Sequence, residues 1–183
     1  RPRMMSPALI LFVALTPWLA ILCYQDCRWR RLPNVLTLGA ALVALAVRYG
    51  AGGGVLGNAG ALGGIVCGLF LLLPFILRAA GGGDVKMLFA VGCAVGLGRS
   101  AQVILFTSLA GLALMLILLL VGLADARRLK HVLRSVFDWR YDRAAGRAAL
   151  PPKSSERCRV PFGVAIAAGT WITLAFEVFA TRA

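Results

Sequence analysis

The chain reads as an all-α, multi-spanning membrane protein, and three observations predict this. Hydrophobic residues make up 60% of its 183 residues. The mean hydropathy is +0.85. The apolar excess is gathered in long runs that lack charge. A soluble domain is closer to half apolar. One soluble core could not bury these runs, because too little polar sequence remains to cover them. Lipid is their natural solvent.

The elements follow in order within one membrane-embedded domain, 1–183. A crossing needs about 20 apolar residues. About six spans are predicted: 6–24, 35–49, 58–78, 85–98, 101–123 and 160–180. Residues 7–24 are long for the apolar region of a signal peptide, and no small-residue cleavage site follows them, so they read as the first span. Met4 and Met5 are candidate natural starts. The second and fourth spans are short, which leaves room for a shallow, water-accessible notch. Residues 50–54 form a nearly uncharged, glycine-rich turn.

Residues 124–159 form the most basic loop. Within it Leu129, Val132, Leu133, Val136 and Phe137 recur at helical spacing, with Arg127, Arg128, Lys130, Arg134 and Arg140 on the other faces. This predicts an amphipathic helix on the inner membrane surface, with Trp139 and Tyr141 in the head-group layer. A lone His131 there reads as a surface residue.

Charge sets the orientation. With six spans, the loops after the first, third and fifth share one side. They hold Arg28, Arg30, Arg31, Arg78, Lys86 and the 124–159 cluster. The positive-inside rule puts this side in the cytoplasm and both termini outside. The net charge of +13 is thereby explained by topology and by anionic lipid head groups as partners; nucleic acid is not expected as a partner. The five cysteines form no CxxC pair, so no metal site is expected. Cys67 and Cys93 read as small core residues. Cys23 and Cys27 share a helical face.

Only seven residues are acidic, so each can be weighed. Asp125, Asp138, Asp142 and Glu156 lie in the basic loop, where loose pairing with arginine has little energetic consequence. Glu177 falls late in the last span and is expected to snorkel or to pair with Arg182. Asp26 follows the first span, and Asp84 precedes the fourth. Parity places both at the cytoplasmic edge. Acids within a membrane span tend to mark function, but at the interface a helix cap or an arginine partner explains them equally well. Gly81-Gly82-Gly83-Asp84 fits the pattern Gly-x-Gly-Asp, in which glycine lets another chain come close. A flexible turn is the plainer reading of that pattern taken alone.

Three segments together are more specific. Asp26-Cys27-Arg28-Trp29-Arg30-Arg31-Leu32-Pro33-Asn34-Val35-Leu36-Thr37 resembles the first motif of type IV prepilin peptidases, the GxGD intramembrane aspartic peptidases. Gly81-Gly82-Gly83-Asp84-Val85-Lys86-Met87-Leu88 resembles their second. Arg159-Val160-Pro161-Phe162-Gly163-Val164-Ala165 resembles the Pro-Phe-Gly segment that opens their last span. The order is the family's, and all three fall on one membrane side by the separate parity argument. The resemblance is closest to the short members that serve tight-adherence (Flp) pili. The longer members' region with two CxxC pairs, tied to N-methylation, is missing from this sequence, so methyl transfer is not carried over.

The resemblance implies an aspartic endopeptidase of the bacterial inner membrane with its active site facing the cytoplasm. It would cut the short basic leader from a prepilin-like protein substrate, with Asp26 and Asp84 catalytic and no metal or organic cofactor. Two carboxylates sharing one water cannot both ionise easily. Gly81, Gly83, Lys86, Pro161, Phe162 and Gly163 are expected to bind substrate or shape the site. Lys86 has snorkelling as its plainer role. Pro33 and Asn34 suit a helix start. Arg28, Arg30 and Arg31 read as topology determinants, because a basic leader would be repelled by them.

Competing classes are weaker. An acyltransferase using the glycine loop to hold phosphate is disfavoured by the fixed charge of Asp84. A small transporter would place polar groups near the bilayer midplane. A pilus-assembly scaffold would tolerate loss of both carboxylates. The identity of the pilin and the oligomeric state are not written in the sequence.

Overall fold

The computed structural model describes residues 7–29, 32–76, 80–121 and 162–180. They form five α-helices: α1 (Pro7–Trp29), α2 (Asn34–Ile76), α3 (Gly82–Val95), α4 (Leu97–Leu120) and α5 (Phe162–Ala180). There is no strand among the described residues. The basic loop and its expected surface helix lie outside them. Four helices are long and apolar enough to cross a membrane, namely α1, α2, α4 and α5. The 14 residues of α3 reach only about 21 Å, short of a core of about 30 Å.

The 43 residues of α2 would span about 65 Å if straight, twice what one crossing needs. The helix is broken at Gly52 (φ −147°, ψ 24°) and Gly53 (φ 58°, ψ −152°). The conformation of Gly53 is one that side chains resist. The chain reverses there. Arg48 Nε donates to the Leu56 carbonyl at 3.0 Å, and Tyr49 Oη meets Asn58 Oδ1 at 2.8 Å. A Cβ on Gly60 would stand 2.8 Å from Arg48 Cδ, whereas an unbroken helix would separate the two residues by about 18 Å. The turn foreseen at 50–54 is therefore present, and the arms 34–51 and 54–76 lie beside each other. The divided α2 and the short α3 are what separate four membrane-length helices from the expected six spans.

Several boundaries differ from expectation. The first helix runs to Trp29 rather than 24, so Asp26 lies inside its last turn instead of after it. At the next junction, α3 starts at Gly82 and ends at Val95, not 85 and 98, and α4 begins at Leu97 rather than 101. Gly96 (φ 81°) parts the two. The polar Arg99 and Ser100 read as a break, yet they sit in the first turn of α4. There Ser100 Oγ donates to the Gly96 carbonyl at 2.9 Å and Arg99 pairs with Glu177, so neither is left unpaired in lipid.

The packing centres on α3. Its Met87, Leu88 and Val91 are fully buried with Leu22 of α1, Leu71 of α2 and Ile166 of α5. Cys67 and Cys93 are fully buried too, as expected of small core residues. The second arm of α2 approaches α3 so closely that a Cβ on Gly63 would lie 2.6 Å from the Gly92 carbonyl oxygen. Small residues permit such contact where helices cannot rely on the hydrophobic effect. Val35, Leu42, Val55, Leu120 and Phe179 point outward, as a lipid-facing surface would. Gly92→Ala should therefore overpack the α2–α3 contact and lower stability by about 1–3 kcal/mol. Gly39→Ala, with nothing within 4 Å of the added carbon, should not. Thermal unfolding of the two variants in detergent checks this.

Candidate active site

Asp26 projects from the last turn of α1, and Asp84 from the first turn of α3. They are 7% and 8% exposed, far more enclosed than a solvated helix cap. Each carboxylate is oriented by a backbone donor. Gly163 N–H, in the first turn of α5, donates to Asp26 Oδ2 at 2.9 Å. Gly81 N–H donates to Asp84 Oδ2 at 2.9 Å, the acid's half of a capping box. The first turns of helices leave backbone N–H groups without intrahelical partners, and their partial positive charge favours an anion. Both acids thus sit at helix N-termini, Asp84 at that of its own helix and Asp26 at that of α5.

Glycine is required at two of these contacts. A Cβ on Gly163 would lie 2.7 Å from Asp26 Oδ2, and one on Gly83 would lie 2.9 Å from Leu32 Cβ. The Gly83 contact packs the α1–α2 connection against the Gly-x-Gly-Asp turn. Lys86 Nζ donates to Asn34 Oδ1 at 2.7 Å, tying the start of α3 to the start of α2. Leu22, one turn before Asp26, and Leu88, one turn after Asp84, share one buried cluster. The last turn of α1 and the first turns of α2, α3 and α5 therefore converge at one end of the bundle. That end gathers Asp26, Gly81, Gly83, Asp84, Lys86, Phe162 and Gly163.

Other expectations resolve differently. Phe162 lies against Gly111 of α4, where a Cβ would be 2.8 Å from its Cε2, so it seats α5 on α4. Pro161 lies outside the described residues. Cys23 and Cys27 do share a side of α1, but Cys27 is exposed and Cys23 half-buried. Cys23 Sγ approaches the Gly163 carbonyl at 3.8 Å. Glu177, expected to snorkel or to pair with Arg182, pairs with Arg99, because the first turn of α4 lies beside the last turns of α5; Arg182 lies outside the described residues. Glu177 is about 21 Å along α5 from Gly163, so it belongs to the opposite end. Sequence reasoning treated Asn34 only as a helix start and gave Leu32 no role in packing. The unpaired charge of Lys86 near a membrane boundary was the one signal that could have pointed to Asn34.

A family model described as the type IV leader peptidase family matches residues 13–127, well over half of the chain. The chain belongs to the type IV leader peptidase family. No curated protein and no solved structure matches it. The matched stretch contains both acids, the Gly-x-Gly-Asp turn and the Leu32–Asn34 connection that packs on it. A peptidase family and apolar helices of membrane length agree with a membrane protease whose polar site lies at one end of its bundle. In this leader peptidase, Gly163→Ala should push the Asp26 carboxylate away by the overlap noted above. A shift near 1 Å can cost about 100-fold in rate. Turnover of a leader-bearing substrate by purified protein measures it, with Gly39→Ala as the control expected to keep full rate.

Proposed function

We propose that the chain is an aspartic endopeptidase that removes the short basic leader of a prepilin-like protein at the cytoplasmic face of the bacterial inner membrane. The observation that carries this reading is the convergence of two enclosed carboxylates at one end of the bundle, each oriented by a backbone N–H. An ionised Asp takes a proton from water as its oxygen attacks the scissile carbonyl. The protonated partner donates to that carbonyl oxygen, leaving a gem-diol; on its collapse one hydroxyl returns a proton to that partner, and the departing amine takes the proton first drawn from water. The pair titrates as a unit, so acid and base are not assigned separately. Peptide hydrolysis of this kind calls for no metal or organic cofactor.

Six crossings fit this reading: α1, the two arms of α2, α3, α4 and α5. Under that path the acids' end also carries Arg28, the end of α4 and the start of α5, between which the sequence runs through the basic stretch 124–159; this supports a cytoplasmic site. Anionic lipid would be met by the same basic loop. Lys86 acts as a strut between α2 and α3 and not as a reader of the leader.

Asp26→Asn and Asp84→Asn preserve size and the ability to accept the Gly163 and Gly81 N–H bonds. Each should lower processing of a co-expressed leader-bearing pilin by at least about 1,000-fold, while the protein still inserts. Leader loss is read by gel shift, and full processing by either variant overturns the dyad. Orientation is tested separately through Cys27, which is exposed near the acids. A membrane-impermeant maleimide should label it in inverted vesicles and not in intact spheroplasts; the reverse pattern would place the site outside.

A further inference from the structure

The two acids sit on different helices, each of which rests mainly on another element. Helix α1 rests on the bundle chiefly through α5, while α3 is gripped by α2. Among the described residues, α1 and α2 are linked by Trp18, whose Nε1 donates to the Leu36 carbonyl at 2.9 Å. The Trp18 ring packs against both buried clusters, the one containing Leu19, Leu22 and Leu88 and the smaller one of Ala41, Ala90 and Cys93. It therefore fills the seam between α1 on one side and α2 with α3 on the other.

Position along the helices makes this link consequential. Trp18 lies two turns before Asp26 on α1. Leu36 lies half a turn after Asn34, whose side-chain oxygen takes the Lys86 ammonium. Lys86 in turn stands two residues past Asp84. Two hydrogen bonds thus run from one acid-bearing helix to the other through the first turn of α2. Helices are stiff over such short distances, so a change at Trp18 is transmitted to the spacing of the carboxylates. The indole is partly buried, and a Trp N–H in such a place usually finds a partner.

We infer that Trp18 is a positioning residue: its indole N–H holds α1 against α2 and thereby sets the approach of Asp26 to Asp84. The inference rests on the two-aspartate reading for its effect on rate, but its structural half can be tested without it. Trp18→Phe keeps an aromatic ring in the seam and removes only the donor.

The experiment has two readouts on the full-length protein in lipid nanodiscs. The first is steady-state processing of a leader-bearing peptide. Trp18→Phe should lower kcat about fivefold, the size expected for one net hydrogen bond, with KM within about twofold. The second is the distance between spin labels at Ile21 on α1 and Val35 on α2, both exposed, in a processing-competent background whose native cysteines are replaced by alanine. That distribution should lengthen and broaden in Trp18→Phe. A control pair at Leu105 and Phe176, on α4 and α5, should not change, showing that the bundle is intact. An unchanged 21–35 distribution overturns the inference whatever the rate does, and so does a broadened distribution with unchanged kcat. If Asp26→Asn kept full activity, the dyad would fall, while the label distances would still report whether Trp18 holds α1.

Discussion

The bond from the Gly163 N–H to the Asp26 carboxylate holds the architecture to its chemistry. It joins the first helix to the last, across 137 positions of sequence. Because α1 rests chiefly on α5, the orientation of Asp26 depends on where α5 begins. That beginning is fixed in turn by Phe162 seated on Gly111 of α4. The contact also serves both partners. An enclosed carboxylate gains a donor and the positive end of a helix, and a helix start in an apolar setting gains an acceptor for an N–H that would otherwise be unpaired.

Short α3 is defined from both ends by the same logic. At its start Asp84 accepts the Gly81 N–H. At its end Arg48, from the first arm of α2, donates to the Ala94 carbonyl at 3.1 Å. A cation there suits both the orphan carbonyls and the negative end of the helix. The glycines opposite it, Gly60 and Gly96, leave the guanidinium room. With Arg99 paired to Glu177, the charges away from the acids act as staples between helices. At the other end Lys86 ties α3 to Asn34 of α2, and each carboxylate accepts a backbone N–H. Lys86 near one end of α3 and Arg48 at the other both tie it to α2, which restrains sliding and with it the depth of Asp84.

Much of this was legible in the sequence, and the residues show why. Long uncharged runs gave the helices, and the glycines at 52–54 marked the reversal within α2, because both signals are local. Asp26 and Asp84 stood out because acids are scarce and their flanking motifs are specific. Other features were hidden for one shared reason: they depend on contacts between distant segments. Hydropathy placed Asp26 after its helix, yet the helix continues through it. The polar Arg99-Ser100 pair looked like a loop because the partner of Arg99 lies 78 residues away. No composition or spacing shows that Leu32 covers Gly83, or that the side-chain oxygen of Asn34 receives Lys86.

The extent of the family match bears on what the working unit is. The match ends at residue 127, before α5 begins. Residues 13–127 carry both acids, the turn that orients Asp84, and the α2–α3 contact that supports it. They do not carry the donor that orients Asp26, nor the helix on which α1 chiefly rests. A chain ending after α4 would keep both carboxylates in its sequence while leaving α1 without its principal support. Asp26 would then lose the helix N-terminus whose N–H it accepts. The last helix thus bears directly on the direction the Asp26 carboxylate takes.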